Sequence, residues 1–377
     1  MSSKVHQVHI FQNRIPEYRV PFFLQLIRNS SNRDVDVKIL ISSKPYQNRG
    51  DEAARFVPHE VIKTKSLRIG KLNFDIFLPK LKLLDAELYV VEFGIRNLLQ
   101  ILFLKIFGRG HLAFWGHGEE RGRDFKKVEL ILRTRILSLG DYFFVYTKSG
   151  KDFLINNSNF KNEQIFVVNN STDTEAIASA KLSPNEKPSL SLPFEFSDQS
   201  AVTVAAISSL EKSKKITTVL EIHKRMREQI PNFRTLICGE GPERQFLESI
   251  SGEGVFYLGR VSPHDLAQIS KVVIAVVSPG PVGLVVTDSF AMGVPIITSI
   301  NQNHGPEFSY LKNGYNSVIV QDSPSMYVEA INRVMKETEL QKSLQFGLAK
   351  SLENFNIDIM TENYLAGLEE ILGEVHG

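Results

Sequence analysis

The sequence predicts an α/β fold in which two parallel sheets are each doubly wound, with helices on both faces. Three observations carry this. Short runs of β-branched and aromatic residues recur along the 377 residues, and amphipathic helical patterns alternate with them. The length exceeds one ordinary domain, so two domains of roughly 180 residues are expected. Between residues 170 and 200 the alternation breaks into Ser, Pro, Asn and Lys, for example LSPNEKPSLSLP, as an interdomain linker would. The boundaries read from this are 1–180 for a first domain, 181–195 for the linker and 196–360 for a second domain. Residues 361–377 form a closing helix able to pack back toward the first domain.

In the first domain, residues 5–11 read as a buried strand running into a polar loop, QNRIPEYR. Pro21 suits the first position of a helix that carries Phe22, Phe23, Leu24 and Leu26. Residues 35–41 are the second strand. Asp34 and Asp36 at its start have the Asp-x-Asp form of some metal sites, but the strand runs straight on, and no metal is assigned. Further strands fall at 88–91, 111–115, 142–146 and 165–168. Two helices between them are amphipathic and basic. Residues 96–107 are mostly apolar with Lys105; residues 124–139 set Lys126, Lys127, Arg133 and Arg135 beside Leu130, Ile131, Leu132 and Ile136. Core packing explains their apolar faces, and docking on a membrane surface is the alternative.

In the second domain strands are expected at 201–207, 233–238, 254–258, 272–277, 295–297 and 317–320, with helices from Ser323 onward. The stretch around which this half is organised is 278–298, SPGPVGLVVTDSFAMGVPIIT. The two prolines and two glycines of its first six residues suit neither a helix nor a central strand, so it begins as a loop. Leu284, Val285, Phe290, Ala291 and Met292 can then share one helical face, and Gly293 and Pro295 stop the helix. A loop feeding a helix N-terminus offers unpaired amides and a favourable dipole to a phosphate. Asp288, one turn inside, can accept hydrogen bonds from sugar hydroxyls. A tight strand-to-helix turn with Asp288 solvated explains the loop equally well.

Composition narrows the classes. Hydrophobic residues make up 42% of the chain, enough for two cores, and Cys238 is the only cysteine. That excludes an intramolecular disulfide scaffold and a cysteine-based zinc cluster, and it favours a reducing compartment. The chain opens with no signal-peptide pattern and has no run of eighteen apolar residues, so a cytoplasmic protein is expected. Residues 1–180 hold 27 Lys and Arg against 19 Asp and Glu, and the remainder holds 17 against 23. A basic half beside an acidic half suggests that the first meets an anionic surface or acceptor. No nucleic-acid partner is expected.

Four features of the second domain fall at strand C-terminal ends, where an open α/β sheet binds its ligand. The first is Ser208 to Lys215, SSLEKSKK, whose lysines could neutralise a diphosphate or sit in a solvated loop. The second is Gly239-Glu240-Gly241-Pro242, half of a dinucleotide fingerprint with Arg244 where the third glycine belongs, which argues against NAD. The third is Gly259-Arg260-Val261, whose backbone could meet a base, and the fourth is the loop leading to Asp288.

In this order and spacing the four resemble the nucleotide-sugar glycosyltransferases of family 4, of the group 1 type. The resemblance covers essentially the whole chain. It rests on the lysine loop, FRTLICGEGPE, VFYLGRV, GLVVTDSFAMGVPIITS and GPEFSYLKNGYN, with QNRIPEYRVPFF, FWGHG, YTKSGKDFL and VVNNSTDT in the first half. It implies the GT-B architecture, two facing Rossmann-like domains. It implies a retaining transferase, of hexosyltransferase type, that moves a sugar from a nucleoside-diphosphate sugar to a saccharide or lipid-linked acceptor in polysaccharide or glycoconjugate synthesis. The leaving diphosphate would help deprotonate the acceptor, and no metal or other cofactor is expected.

Residue by residue, the resemblance gives His117 and Lys214 catalytic roles, near the transferring sugar and on the diphosphate. His117 read alone is also an ordinary core or turn histidine. Nucleotide-sugar contacts are expected from Ser209, Lys214, Gly241, Pro242, Arg260, Val261, Gly283, Leu284, Val285 and Asp288, with Asp288 on the ribose. Acceptor contacts are expected from Arg14, Tyr18 and Arg19, and peripheral association with an anionic face of the cytoplasmic membrane goes with them. Two positions depart from the family pattern and bear on sugar selectivity and turnover. Gly280 stands for the first of its paired glutamates, with Asp288 for the second, and Ser209 stands for the arginine before the lysine. The alternatives are a nucleotide-sugar epimerase or hydrolase on the same fold and a non-catalytic binding subunit.

Overall fold

All strand pairings in the two large sheets of the computed structural model are parallel. It describes residues 5–43, 57–69, 72–77, 81–119, 127–182, 201–250, 252–300 and 303–374. The chain forms two units, one of Met1–Asn170 with Ile357–Gly377 and the other of Ser171–Asn356.

The first unit opens with β1 (His6–Gln12), α1 (Val20–Ser30), β2 (Val35–Ser42) and the short β3 (Glu60–Ile62). A hairpin of β4 (Thr64–Ile69) and β5 (Leu72–Phe77) follows, which the sequence reading did not anticipate. Then come β6 (Leu88–Glu92), α2 (Leu98–Phe107), β7 (His111–Gly116), α3 (Lys127–Leu137), β8 (Tyr142–Val145), α4 (Lys148–Asn157) and β9 (Ile165–Val167). The seven-stranded sheet runs β3-β2-β1-β6-β7-β8-β9. Alternate residues of β1 serve opposite layers: Val8 and Ile10 pack with Phe22 and Phe23 of α1, and Phe11 packs with Ile101 and Leu104 of α2.

α2 starts at Leu98 rather than at 96, because Arg96 belongs to the preceding 3-10 turn, where its guanidinium pairs with the buried Asp75 of β5. The expected helix at 124–139 is seen from Lys127 onward, and residues 124–126 lie outside the described residues.

The second unit begins with α5 (Thr174–Leu182), β10 (Thr203–Ile207), α6 (Ile216–Gln229), β11 (Arg234–Cys238) and α7 (Arg244–Ile250). It continues through β12 (Val255–Gly259), α8 (Pro263–Ile269), β13 (Ala275–Ser278), α9 (Val285–Met292), β14 (Ile296–Ser299), β15 (Ser317–Val320), α10 (Pro324–Lys336) and α11 (Thr338–Asn354). Its sheet runs β12-β11-β10-β13-β14-β15. β13 starts at Ala275 rather than at 272, since the amides of Val272 and Val273 are spent on Ile269 O at 3.1 and 3.2 Å as α8 ends. The final helix, α12 (Ile357–Glu374), belongs to the first unit and starts before 361.

The division falls after Asn170 rather than at 180. The cause is α5, whose Ile177 and Ala180 enter the core of Phe290 and Met292, while Lys181 Nζ donates to Met292 O at 2.8 Å. Beyond Leu182, the stretch read as a linker (181–195) lies outside the described residues. Both sheets reverse their strand order once, between β1 and β6 and between β10 and β13. In open α/β sheets that reversal opens a crevice at the strand C-terminal ends. Among the described residues no helix is long and apolar enough to cross a membrane.

Candidate functional site

In the second unit the loops after β10, β11 and β12 are stitched together at the reversal. Ser208 N donates to Cys238 O at 3.0 Å, Leu210 N to Glu240 O at 2.9 Å, Glu243 N to Leu210 O at 3.1 Å and Gly239 N to Gly259 O at 2.7 Å. Gly241 has to be glycine: its φ is 158° and a Cβ would lie 2.7 Å from Leu210 O. Ser209 and Val261 are half-buried beside these loops, and Pro242 and Arg260 are exposed.

The lysine loop rests directly on the loop after β13. Lys214 ends a 3-10 turn, Lys212–Lys214, and its Nζ donates to Pro281 O at 2.6 Å. A Cβ on Gly280 would fall 2.5 Å from Lys214 Cα. Gly280 thus stands where the lysine loop fills the space.

The far side of the same loop is pinned by the segment after β14. Val282 N donates to His304 Nδ1 at 3.0 Å, and His304 Nε2 donates to Ser299 O at 2.8 Å. Those two partners require the neutral ring with its proton on Nε2. Gly305 N donates to Val282 O at 2.8 Å, and Phe308 stacks on His304 at 4.0 Å. Glu307, 3% exposed, sets Oε2 beside Gly283, 3.9 Å from where a Cβ would be. The chain then enters α9, where Val286 N donates to Gly283 O and Thr287 N to Leu284 O, each at 3.0 Å. It is therefore the amides before them, of Gly283, Leu284 and Val285, that face the positive end of the dipole without a helical acceptor.

α9 buries Val286, Thr287, Ser289, Phe290, Ala291 and Met292, while Leu284 and Val285 at its start stay half-buried. The buried face is therefore rotated from the one read in the sequence. Asp288 is half-buried, and burial pushes its carboxyl up to about 6 against a smaller opposing effect of Thr172. Thr172 Oγ1 donates to Asp288 Oδ1 at 2.6 Å and lies 3.1 Å from Thr287 Oγ1, which donates to Leu284 O at 2.9 Å.

In the first unit the expected residues gather at the C-terminal ends of β1 and β7. Arg14 is half-buried and Tyr18 exposed. Arg19, expected to face an acceptor, is only 5% exposed. Its guanidinium pairs with Asn170 Oδ1 and reaches Met360 Sδ at 3.3 Å, over the rings of Tyr18, Trp115 and Tyr146 at 5.2–5.3 Å. An aromatic cage takes up the cation that the sequence offered to a ligand.

His117 meets Tyr146 edge to face at 4.9 Å. Although its ring is open to solvent on one side, burial first and then the Arg19 cation lower its pKa, so it is neutral at pH 7. Sequence reasoning did not single out Thr172, His304, Glu307, Trp115 or Tyr146. Their only signal was position, inside or next to the quoted segments.

Residues 194–346 match the family model of glycosyl transferases group 1. No curated protein matches the chain by sequence. Among solved structures it is similar to a glycosyltransferase from Rickettsia africae, with 12% identity over 98% of this chain and 99% of that one and a TM-score of 0.70. It is also similar to Anabaena HepE in complex with UDP, with 12% identity over 97% and 99% and a TM-score of 0.69; another HepE structure holds UDP-glucose. A third is the sucrose-phosphate synthase of Thermosynechococcus elongatus, with 14% identity over 98% and 100% and a TM-score of 0.66. At such identities the likeness speaks for the fold. The chain has the GT-B fold, and its residues 194–346 are similar to the glycosyl transferases group 1 model.

Proposed function

We propose that the chain is a retaining hexosyltransferase resembling family 4, which moves a sugar from a nucleoside-diphosphate sugar to a hydroxyl of a saccharide or lipid-linked acceptor. The observation that carries this is the second unit's reversal point, where Lys214 lies against the glycine loop that leads into α9, with Asp288 one turn further on. The UDP and UDP-glucose held by HepE support a uridine nucleotide as the first donor to try.

In this reading the amides of Gly283, Leu284 and Val285 and Lys214 Nζ take the diphosphate, and Asp288 takes the ribose. Ser209, Gly241, Pro242, Arg260 and Val261 border the nucleotide. The bond between the sugar's anomeric carbon and the diphosphate breaks as the acceptor oxygen bonds to the same face of the sugar. The acceptor's proton passes to the departing phosphate oxygen, and the charge left there is stabilised by Lys214 and the loop amides. No metal is called on. His117, neutral, can accept a hydrogen bond from a sugar or acceptor hydroxyl. Arg14 and Tyr18 supply the acceptor contacts, and Arg19 holds their surroundings. Polysaccharide or glycoconjugate synthesis at the cytoplasmic face of a membrane is the setting this implies.

The test is incubation with UDP-, GDP- and ADP-sugars, following nucleoside diphosphate release with and without saccharide acceptors. Release that depends on an acceptor, with the anomeric configuration kept, is expected. Release with no acceptor dependence would mean a hydrolase or epimerase, and binding without turnover a non-catalytic subunit.

A further inference from the structure

We propose that Thr172 is a positioning residue for Asp288 and, through it, a determinant of ribose recognition by the second unit. The inference rests on the donor reading above and goes beyond it, to a side chain remote in sequence. Thr172 lies in the irregular stretch before α5 and is 8% exposed. Its place is fixed from both sides: Ser171 Oγ donates to Phe355 O at 3.1 Å, Thr174 N to Thr172 O at 2.8 Å and Ala176 N to Asp173 Oδ1 at 3.1 Å.

Counting protons gives the role. Thr172 and Thr287 have one hydroxyl proton each. With Asp288 ionised, Thr172 gives its proton to Oδ1 and Thr287 gives its own to Leu284 O, so both are spent. Oδ1 is held by the protein, and Oδ2 is left to accept from a ribose hydroxyl. With Asp288 protonated, the carboxyl can donate to Thr172, Thr172 to Thr287 and Thr287 to Leu284 O, again with nothing wasted. The same two threonines thus serve both protonation states. Oδ2 can accept from the sugar in both, and the ionised carboxylate, oriented by Thr172, accepts the stronger, charge-assisted bond. The hydroxyl of Thr172 also opposes the effect of burial on Asp288, so its loss favours the protonated form, the weaker acceptor.

The probes are UDP and 2′-deoxy-UDP, whose affinities are measured by calorimetry at pH 6 and pH 8 on the full chain and on Thr172→Val and Thr172→Ser. The wild type should prefer UDP. Thr172→Val should erase much of that preference, and its UDP affinity should fall further at pH 6 than at pH 8, by up to about fivefold, since less of Asp288 is ionised there. Thr172→Ser should restore both.

A readout without ligand is the titration of the Asp288 carboxyl by carbon NMR, assigned by difference from Asp288→Asn. Its midpoint should rise in Thr172→Val and return in Thr172→Ser. An unmoved midpoint with an unchanged UDP preference overturns the positioning role. So does an equal loss at both pH values in both variants, which is a packing defect. A midpoint that moves in a protein binding neither UDP, GDP nor ADP overturns the donor reading, and ribose recognition with it.

Discussion

Asp288 is costly to keep ionised where it sits. Its folded pKa, about 6, lies above the ordinary value of 3.8, so the folded state holds the proton more tightly than the unfolded chain does. The penalty is full above about pH 6 and is relieved as the pH falls toward 4. Asp288→Asn should therefore raise stability at pH 7 by about 1–3 kcal/mol, with the gain gone near pH 4, while donor affinity drops. Thermal unfolding at the two pH values checks this, and a variant less stable at pH 7 would contradict it.

Lys214 should behave differently. Its ammonium has three donors, so it can keep Pro281 O and still meet a diphosphate. Charge grows on that diphosphate as the sugar leaves. Lys214→Ala should thus lower kcat by on the order of 10²–10³ with a smaller change in donor affinity. Saturating kinetics decide, and an unchanged kcat would remove Lys214 from the mechanism.

Among the elements, the two loops at the reversal point form one packed unit. At Gly280 a Cβ would meet Lys214 Cα and Ser213 O, each at 2.5 Å, and both atoms are backbone. Gly280→Ala should push the lysine loop away, costing roughly 1–3 kcal/mol and much of the turnover. Calorimetric unfolding with kinetics measures both, and wild-type values would show that the loops are not locked together. For the same reason Gly280→Glu should disrupt the loop rather than supply a second acid beside Asp288.

Helices α2 and α3 present a different surface. Ile106 is 70% and Phe107 58% exposed at the end of α2, and Leu130 and Ile131 are exposed on α3 with Arg135. Apolar side chains beside cations suit the interface of an anionic bilayer. Binding to anionic vesicles should weaken with salt, since the attraction is screened over about 10 Å at 0.1 M. It should also fall in the Ile106→Glu, Phe107→Glu double variant. A chain that ignores vesicles at low salt is not held by these helices.

The strands of both sheets except the short edge strand β3 were legible because buried parallel strands read as continuous β-branched and aromatic runs. The hairpin β4–β5 was not: on β4 only Leu67 and Ile69 alternate with polar residues, too short a pattern to mark a strand, and both are exposed. In the candidate site the glycine loop, the lysine loop and Asp288 could be found by order and spacing. Thr172 and His304 could not, because a buried hydroxyl or imidazole acquires its partner only when distant segments meet. Arg19 shows the opposite failure. A cation in a polar loop reads as a ligand group, and only the rings of Trp115 and Tyr146 reveal that it is caged.

At the scale of the whole molecule the two units are built unequally. The second is continuous, Ser171–Asn356, whereas the first takes its last helix from the end of the chain. α12 gives the first unit's core Ile357, Met360, Tyr364, Leu365, Leu368, Ile371 and Leu372. Tyr364 alone stacks on Phe144 at 4.4 Å and meets Trp115 at 5.1 Å and Phe22 at 5.4 Å. A fully buried side chain of this size contributes about 1.5–3 kcal/mol, so these residues together contribute roughly 10–20 kcal/mol, comparable to or above the about 5–15 kcal/mol by which a domain is usually stable. A chain ending at Asn356 should therefore lose the first unit's fold. Residues 171–356, whose core needs nothing from α12, should fold when expressed alone. Limited proteolysis and hydrogen exchange on the two fragments would separate these outcomes. In the fragment 1–356, protection should survive in β10, β11 and β13 and vanish from β1, β6 and β7. Protection kept throughout would mean that the first unit's other helices suffice to close its sheet.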